Sequence, residues 1–138
     1  MRRLFLIAAL ALAAAAVTAP IALAGSPHFV SNTLSAVVSG TNGDTLTVSG
    51  KEAGLGDEDQ IHIVVTATAS CINPGGKHPK AENKQSVSGE GDFPVQNGKA
   101  EFEITVTADL QPNCSPPMTI QWSDITVTDT TNGISKTF

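Results

Sequence analysis

Cys71 closes an alternating stretch and is followed by Ile72-Asn73-Pro74-Gly75-Gly76-Lys77-His78, so a thiol, two glycines, an amine and an imidazole stand in one short segment. Such residues serve three chemistries. A thiolate in an electropositive setting is a nucleophile. Successive backbone N–H groups at Gly75-Gly76, with charge from Lys77 and His78, can cradle an anion. An imidazole beside a thiolate can bind zinc. Cys114 argues against the free thiol. Two cysteines in a chain bound for an oxidising compartment pair with each other, and closing a loop of 43 residues is worth about 4 kcal/mol in the chain-entropy account. Gly75, Gly76, Lys77 and His78 remain a candidate ligand loop. They lack the strand-loop-helix setting of a phosphate-binding loop, so the default reading is a surface turn anchored by the Cys71–Cys114 bridge.

The run Asp57-Glu58-Asp59 is the second candidate, because three carboxylates supply the hard oxygens that calcium requires. It lacks the alternating spacing and glycine of an EF-hand loop, and charge runs more often form solvated turns. His28, His62 and His78 have no ligand spacing between them, so no zinc or copper site is expected. For catalysis, a hydrolase wants a Ser, His and acid set or two carboxylates facing one cleft. The chain has no Gly-x-Ser-x-Gly elbow and no histidine beside a nucleophile, and no catalytic residue is assigned.

The amino terminus says where this chemistry would operate. Arg2 and Arg3 precede an apolar run from Leu4 to Val17, and Ala22-Leu23-Ala24 follows. That pattern is a secretory leader with cleavage expected between Ala24 and Gly25. The rival is an uncleaved anchor, which needs about 20 apolar residues, and Pro20 interrupts the run. The 138 residues carry a net charge of −5; removing the two arginines leaves six lysines against 13 acidic residues, 6 − 13 = −7. Nucleic-acid binding needs a basic stripe, and the acidic balance excludes it as an expectation. The segment after the leader has no Arg or Tyr and one Trp, Trp122, although those types anchor most tight interfaces.

The elements that must position these residues are strands. From Ile61 to Cys71 the odd positions are apolar or small and the even ones largely polar; from Phe102 to Leu110 the even positions are apolar. Alternation of period two marks a strand with one face in a core and one in water. Asn42-Gly43, Asn97-Gly98 and Asn132-Gly133 mark bends, since both residues tolerate positive φ. In Met118-Thr119-Ile120-Gln121-Trp122-Ser123-Asp124-Ile125 the apolar parity changes, which predicts a β-bulge near Ser123-Asp124. The pattern predicts about seven strands, near 33–39, 45–50, 60–71, 86–95, 99–110, 118–129 and 133–138. They form a single all-β domain over residues 25–138, a two-sheet antiparallel sandwich of immunoglobulin-like appearance. Trp122 follows both cysteines, so the usual bridge between immunoglobulin sheets is not matched.

KEAGLG from Lys51, CINPGGKHPKAENK from Cys71 and TVTDTTNG around Val127 resemble a group of short, mostly uncharacterised exported bacterial proteins. That resemblance implies a disulfide-bearing β-domain and transfers no catalytic residue or ligand. The expectation is an exported, non-enzymatic domain acting at or outside the cell envelope as a surface or interaction protein, with no membrane span after cleavage. The alternative is a secreted module binding a small ligand or calcium. Self-association through an edge strand such as Ile134 to Phe138 is a further expectation for partners, beside a cell-surface partner.

Overall fold

A computed structural model describes residues 25–75 and 83–138; residues 1–24, where a leader is expected, and Gly76, Lys77 and His78 lie outside the described residues. Among the described residues eight strands are present: β1 (His28–Phe29), β2 (Ser35–Ser39), β3 (Thr45–Ala53), β4 (Gln60–Ile72), β5 (Lys84–Pro94), β6 (Lys99–Thr107), β7 (Thr119–Asp129) and β8 (Ile134–Thr137). They form two antiparallel sheets. In one, β6 pairs along all of β3, and β1 and β2 share the opposite edge of β3. In the other the order is β5-β4-β7-β8. The two sheets are the layers of a β-sandwich, with β1, β2, β3 and β6 in one and β5, β4, β7 and β8 in the other. No helix among the described residues is long and apolar enough to cross a membrane.

The expected alternation holds. Ile61, Ile63, Val65, Ala67, Ala69 and Cys71 are buried from β4, and Phe102, Ile104 and Val106 are buried from β6. Each aliphatic or aromatic side chain removed from water contributes roughly 1.5–3 kcal/mol, so these two strands supply much of the core. Phe102 anchors one end of it, in edge-to-face contact with Phe29 at 5.9 Å and with Phe93 at 6.2 Å between ring centroids. The parity change in β7 is a bulge. Thr126 pairs with Thr66 and Ser123 with Thr68, which leaves Asp124 and Ile125 opposite Ala67, and Asp124 takes φ 52°.

The strand boundaries differ from the sequence expectation for local reasons. β3 continues past 50 to Ala53, because its inward positions after Val48 are Gly50 and Glu52, which carry no apolar signal. Gly50 leaves room for the core: a Cβ there would meet Leu34 Cδ2 at 2.6 Å. The expected strand 99–110 pairs only to Thr107, where β3 runs out at Thr45. Its inward parity still continues, with Ala108 and Leu110 buried. The two-residue β1 was too short for any periodic signal. The Asn97-Gly98 turn, with φ 52° and 71°, is a two-residue hairpin closed by the Gln96–Lys99 bridge. Asn42-Gly43, with φ 60° and 77°, sits instead in a longer link from β2 to β3.

Candidate functional site

β4 runs the length of the sandwich, and the residues singled out above lie at its two ends. At the carboxy-terminal end Cys71 and Cys114 are bonded, with Cα atoms 5.6 Å apart. Cys71 is the last inward residue of β4, and Cys114 sits in the loop between β6 and β7. The Thr41–Gly43 turn closes over this end. Asn42 Nδ2 donates to the Cys114 carbonyl at 3.0 Å, and Trp122 Nε1 donates to the Gly43 carbonyl at 2.8 Å. The bridge is structural. Gly75 is in the described part of the adjoining loop, with φ 105° and open space around it; Gly76, Lys77 and His78 of the candidate ligand loop lie outside the described residues.

The opposite end holds the acidic run. Asp57 and Asp59 are exposed, while Glu58 is partly buried and accepts from Asn132 Nδ2 at 3.0 Å. The same nitrogen donates to Asp129 Oδ2 at 2.7 Å. Asp129 Oδ1 accepts the backbone N–H groups of Thr131 and Asn132 at 2.8 and 3.3 Å, so this aspartate ties the β7–β8 turn together. Beneath it lies Glu52 on the inward face of β3. Glu52 and Asp129 both have no exposed surface, and neither carboxyl oxygen of Glu52 meets a donor. Burial pushes the Glu52 carboxyl up to about 8; a side-chain hydrogen bond with Asp129 and the charges of Asp129 and Glu58 push the same way. These facts agree once the proton is placed. Two carboxylates cannot donate to each other, whereas a protonated Glu52 donates to Asp129 and removes one buried charge. The structure thus joins Glu58, not Asp57 or Asp59, to a buried pair, and no group of three or more His, Cys, Asp or Glu side chains among the described residues is placed to hold a metal.

His62, on the wet face of β4, is bound across to β5. Its Nδ1 lies 2.7 Å from Asp92 and its Nε2 3.2 Å from Glu90, both on β5. Hydrogen bonds to Asp92, then to Glu90, raise its pKa above the usual imidazole value. With a carboxylate facing each nitrogen, the protonated form of the ring is favoured on this face. Further along the same face two hydroxyl pairs join β7 to β8: Thr128 with Ser135 at 2.9 Å and Thr126 with Thr137 at 3.3 Å.

Along one flank the layers do not close. Among the described residues β2 pairs only with β3, and the first half of β7, Thr119 to Ser123, pairs only with β4, because β8 covers Thr126 to Asp129. Between them runs a groove of about 660 Å³ lined by Val38, Leu46, Ile72, Ile120, Trp122 and Ile125 among others. Val38 is 48% exposed at its rim.

Glu52, Asp129 and the flank escaped the sequence reading, although two of them carried a signal. Glu52 follows the inward series Leu46, Val48, Gly50, and Asp129 follows Ile125 and Val127, so parity alone places both carboxyls inside. The chain matches no family model, no curated protein and no solved structure.

Proposed function

We propose that the protein is an exported, non-enzymatic interaction domain working at or outside the cell envelope, and that its working surface is the flank between β2 and β7. The leader pattern and the Cys71–Cys114 bridge support export, since such bridges persist in oxidising compartments. The observation that carries the surface is the groove itself: an apolar channel bounded by two strand edges that pair on one side only. Channels of this form accept an extended chain, whose backbone pairs with the free edge while alternate side chains enter the groove. The polar outer face of β7 and β8 offers no comparable anchor, because Thr126 and Thr128 pair there with Thr137 and Ser135. Calcium is the weaker reading, since Asp57 and Asp59 stand apart from the Glu58–Asn132–Asp129 contact.

The test is site-specific photocrosslinking in the native envelope. A crosslinker at Val38 or Thr119 is expected to capture protein, and one at Ser88 on the opposite face is not. Equal capture at all three positions, or none at the flank, contradicts the reading.

A further inference from the structure

We propose that the partner taken at this flank is a second copy of the chain, joined by antiparallel pairing of β2 with β2; the inference rests on the flank being the working surface. Edge strands that must stay single are normally protected by charge, proline or brevity. The edges formed by β5, β6 and β8 follow that rule. β5 carries Lys84, Glu90 and Asp92; β6 carries Lys99, Glu101 and Glu103; β8 has only four residues, with Lys136 among them. β2 does not. It reads Ser35-Ala36-Val37-Val38-Ser39, and no Asp, Glu, Lys or Arg occurs from Phe29 to Gly43. Val37 and Val38 are 55% and 48% exposed, two of the three exposed large hydrophobic residues among those described.

The same strand is self-complementary. A two-fold axis through Val37 sets Ser35 opposite Ser39 of the second copy, Ala36 opposite its Val38, and Val37 opposite itself. A two-fold interface must match its own patch, and this pattern returns like to like on both faces. Ser35, Val37 and Ser39 share the outer face with Ser49, Thr47 and Thr45 of β3, while Ala36 and Val38 lie on the side of the groove. Charge selects a copy at this place. A chain of net charge −5 repels itself over most approaches, and an uncharged strip is where two copies can meet without opposing like charges. Pairing would extend the β6-β3-β2 layer through the axis into the same layer of the second copy. The edge expected from sequence to self-associate, Ile134 to Phe138, carries Lys136 on its short length.

The experiment uses the full chain, processed in an exporting host, and measures mass by sedimentation over a dilution series. A reversible monomer–dimer equilibrium is expected. Val37→Lys should weaken dimerisation about tenfold or more by opposing two cations across the axis, with unchanged near-ultraviolet circular dichroism. Thr137→Lys on β8 should leave it unaltered. Register is read independently by oxidation of cysteine variants. Opposed residues in an antiparallel pair lie about 4.5–5.5 Å apart, within the span of a disulfide. Val37→Cys is therefore expected to form an intermolecular bridge rapidly and Ser39→Cys slowly, and this holds as a test even should Val37→Lys fail to fold. A monomer at every concentration, a dimer insensitive to Val37→Lys, equal sensitivity to Thr137→Lys, or equal bridging at 37 and 39 overturns the proposal. A different protein captured at Val38, with no homodimer, overturns this inference and leaves the interaction-domain reading intact; no capture at the flank and no dimer overturns both.

Discussion

Glu52→Gln should stabilise the protein at neutral pH, although it replaces a fully buried side chain. The wild-type carboxyl keeps its proton to about 8 in the fold and releases it near 4.5 when the chain unfolds. Between those values the unfolded state holds fewer protons than the folded one, so stability falls as pH rises through that window. Below pH 4.5 the contribution is fully present. At 1.36 kcal/mol per pH unit, the loss is about 3 kcal/mol at pH 7 and approaches about 5 kcal/mol above pH 8. Glutamine has no proton to lose, and its amide can donate to Asp129 as the protonated carboxyl does. The variant should therefore match wild type near pH 4, exceed it by about 3 kcal/mol at pH 7, and show no slope from this site. At neutral pH that gain corresponds to a rise in Tm of roughly 10 °C. Urea unfolding at pH 4, 7 and 9 measures it, with Glu103→Gln, on the exposed face of β6, as a control that leaves the slope in place. A wild-type profile without this fall, or a variant less stable than wild type at pH 7, would refute the shared proton.

Further outcomes follow from the same contacts. Replacing Cys71 and Cys114 together by serine should reduce stability by about 4 kcal/mol, from the released loop of 43 residues, as measured by urea unfolding of the oxidised and variant proteins. Trp122→Phe removes the hydrogen bond to Gly43 and leaves its carbonyl without that donor, which should lower stability by about 1 kcal/mol. By NMR, His62 should titrate above the usual imidazole value, and Asp92→Asn with Glu90→Gln should bring it down; its contribution is present at low pH and lost as pH rises through the folded value. Calcium should leave Tm unchanged, because a ligand held only by the folded state would raise it.

The core was legible in the sequence and the site was not, for a physical reason. Burial of alternate side chains imposes period two on β4 and β6, so Ile61 to Cys71 and Phe102 to Val106 announce their faces one residue at a time. The bulge at Asp124 was visible as a change of parity. Glu52 kept the parity of β3 but broke its hydrophobic signal, and its partner Asp129 is distant in sequence and adjacent only through the sandwich. The salt link of His62 to β5 depended on a register set across the connection after Ile72, which turn residues do not specify. The open flank is a property of what β2 and β7 fail to pair with, and no local pattern records it.

Amide hydrogen exchange on the dilute protein tests that flank most directly. Alternate amides of β2 and of Thr119 to Ser123 should exchange much faster than those of β4, although all lie in ordered strands, because no neighbour covers their outer side. Protection along β2 and the first half of β7 equal to that of β4 would mean the sandwich is closed there, and the account of its working surface would be wrong.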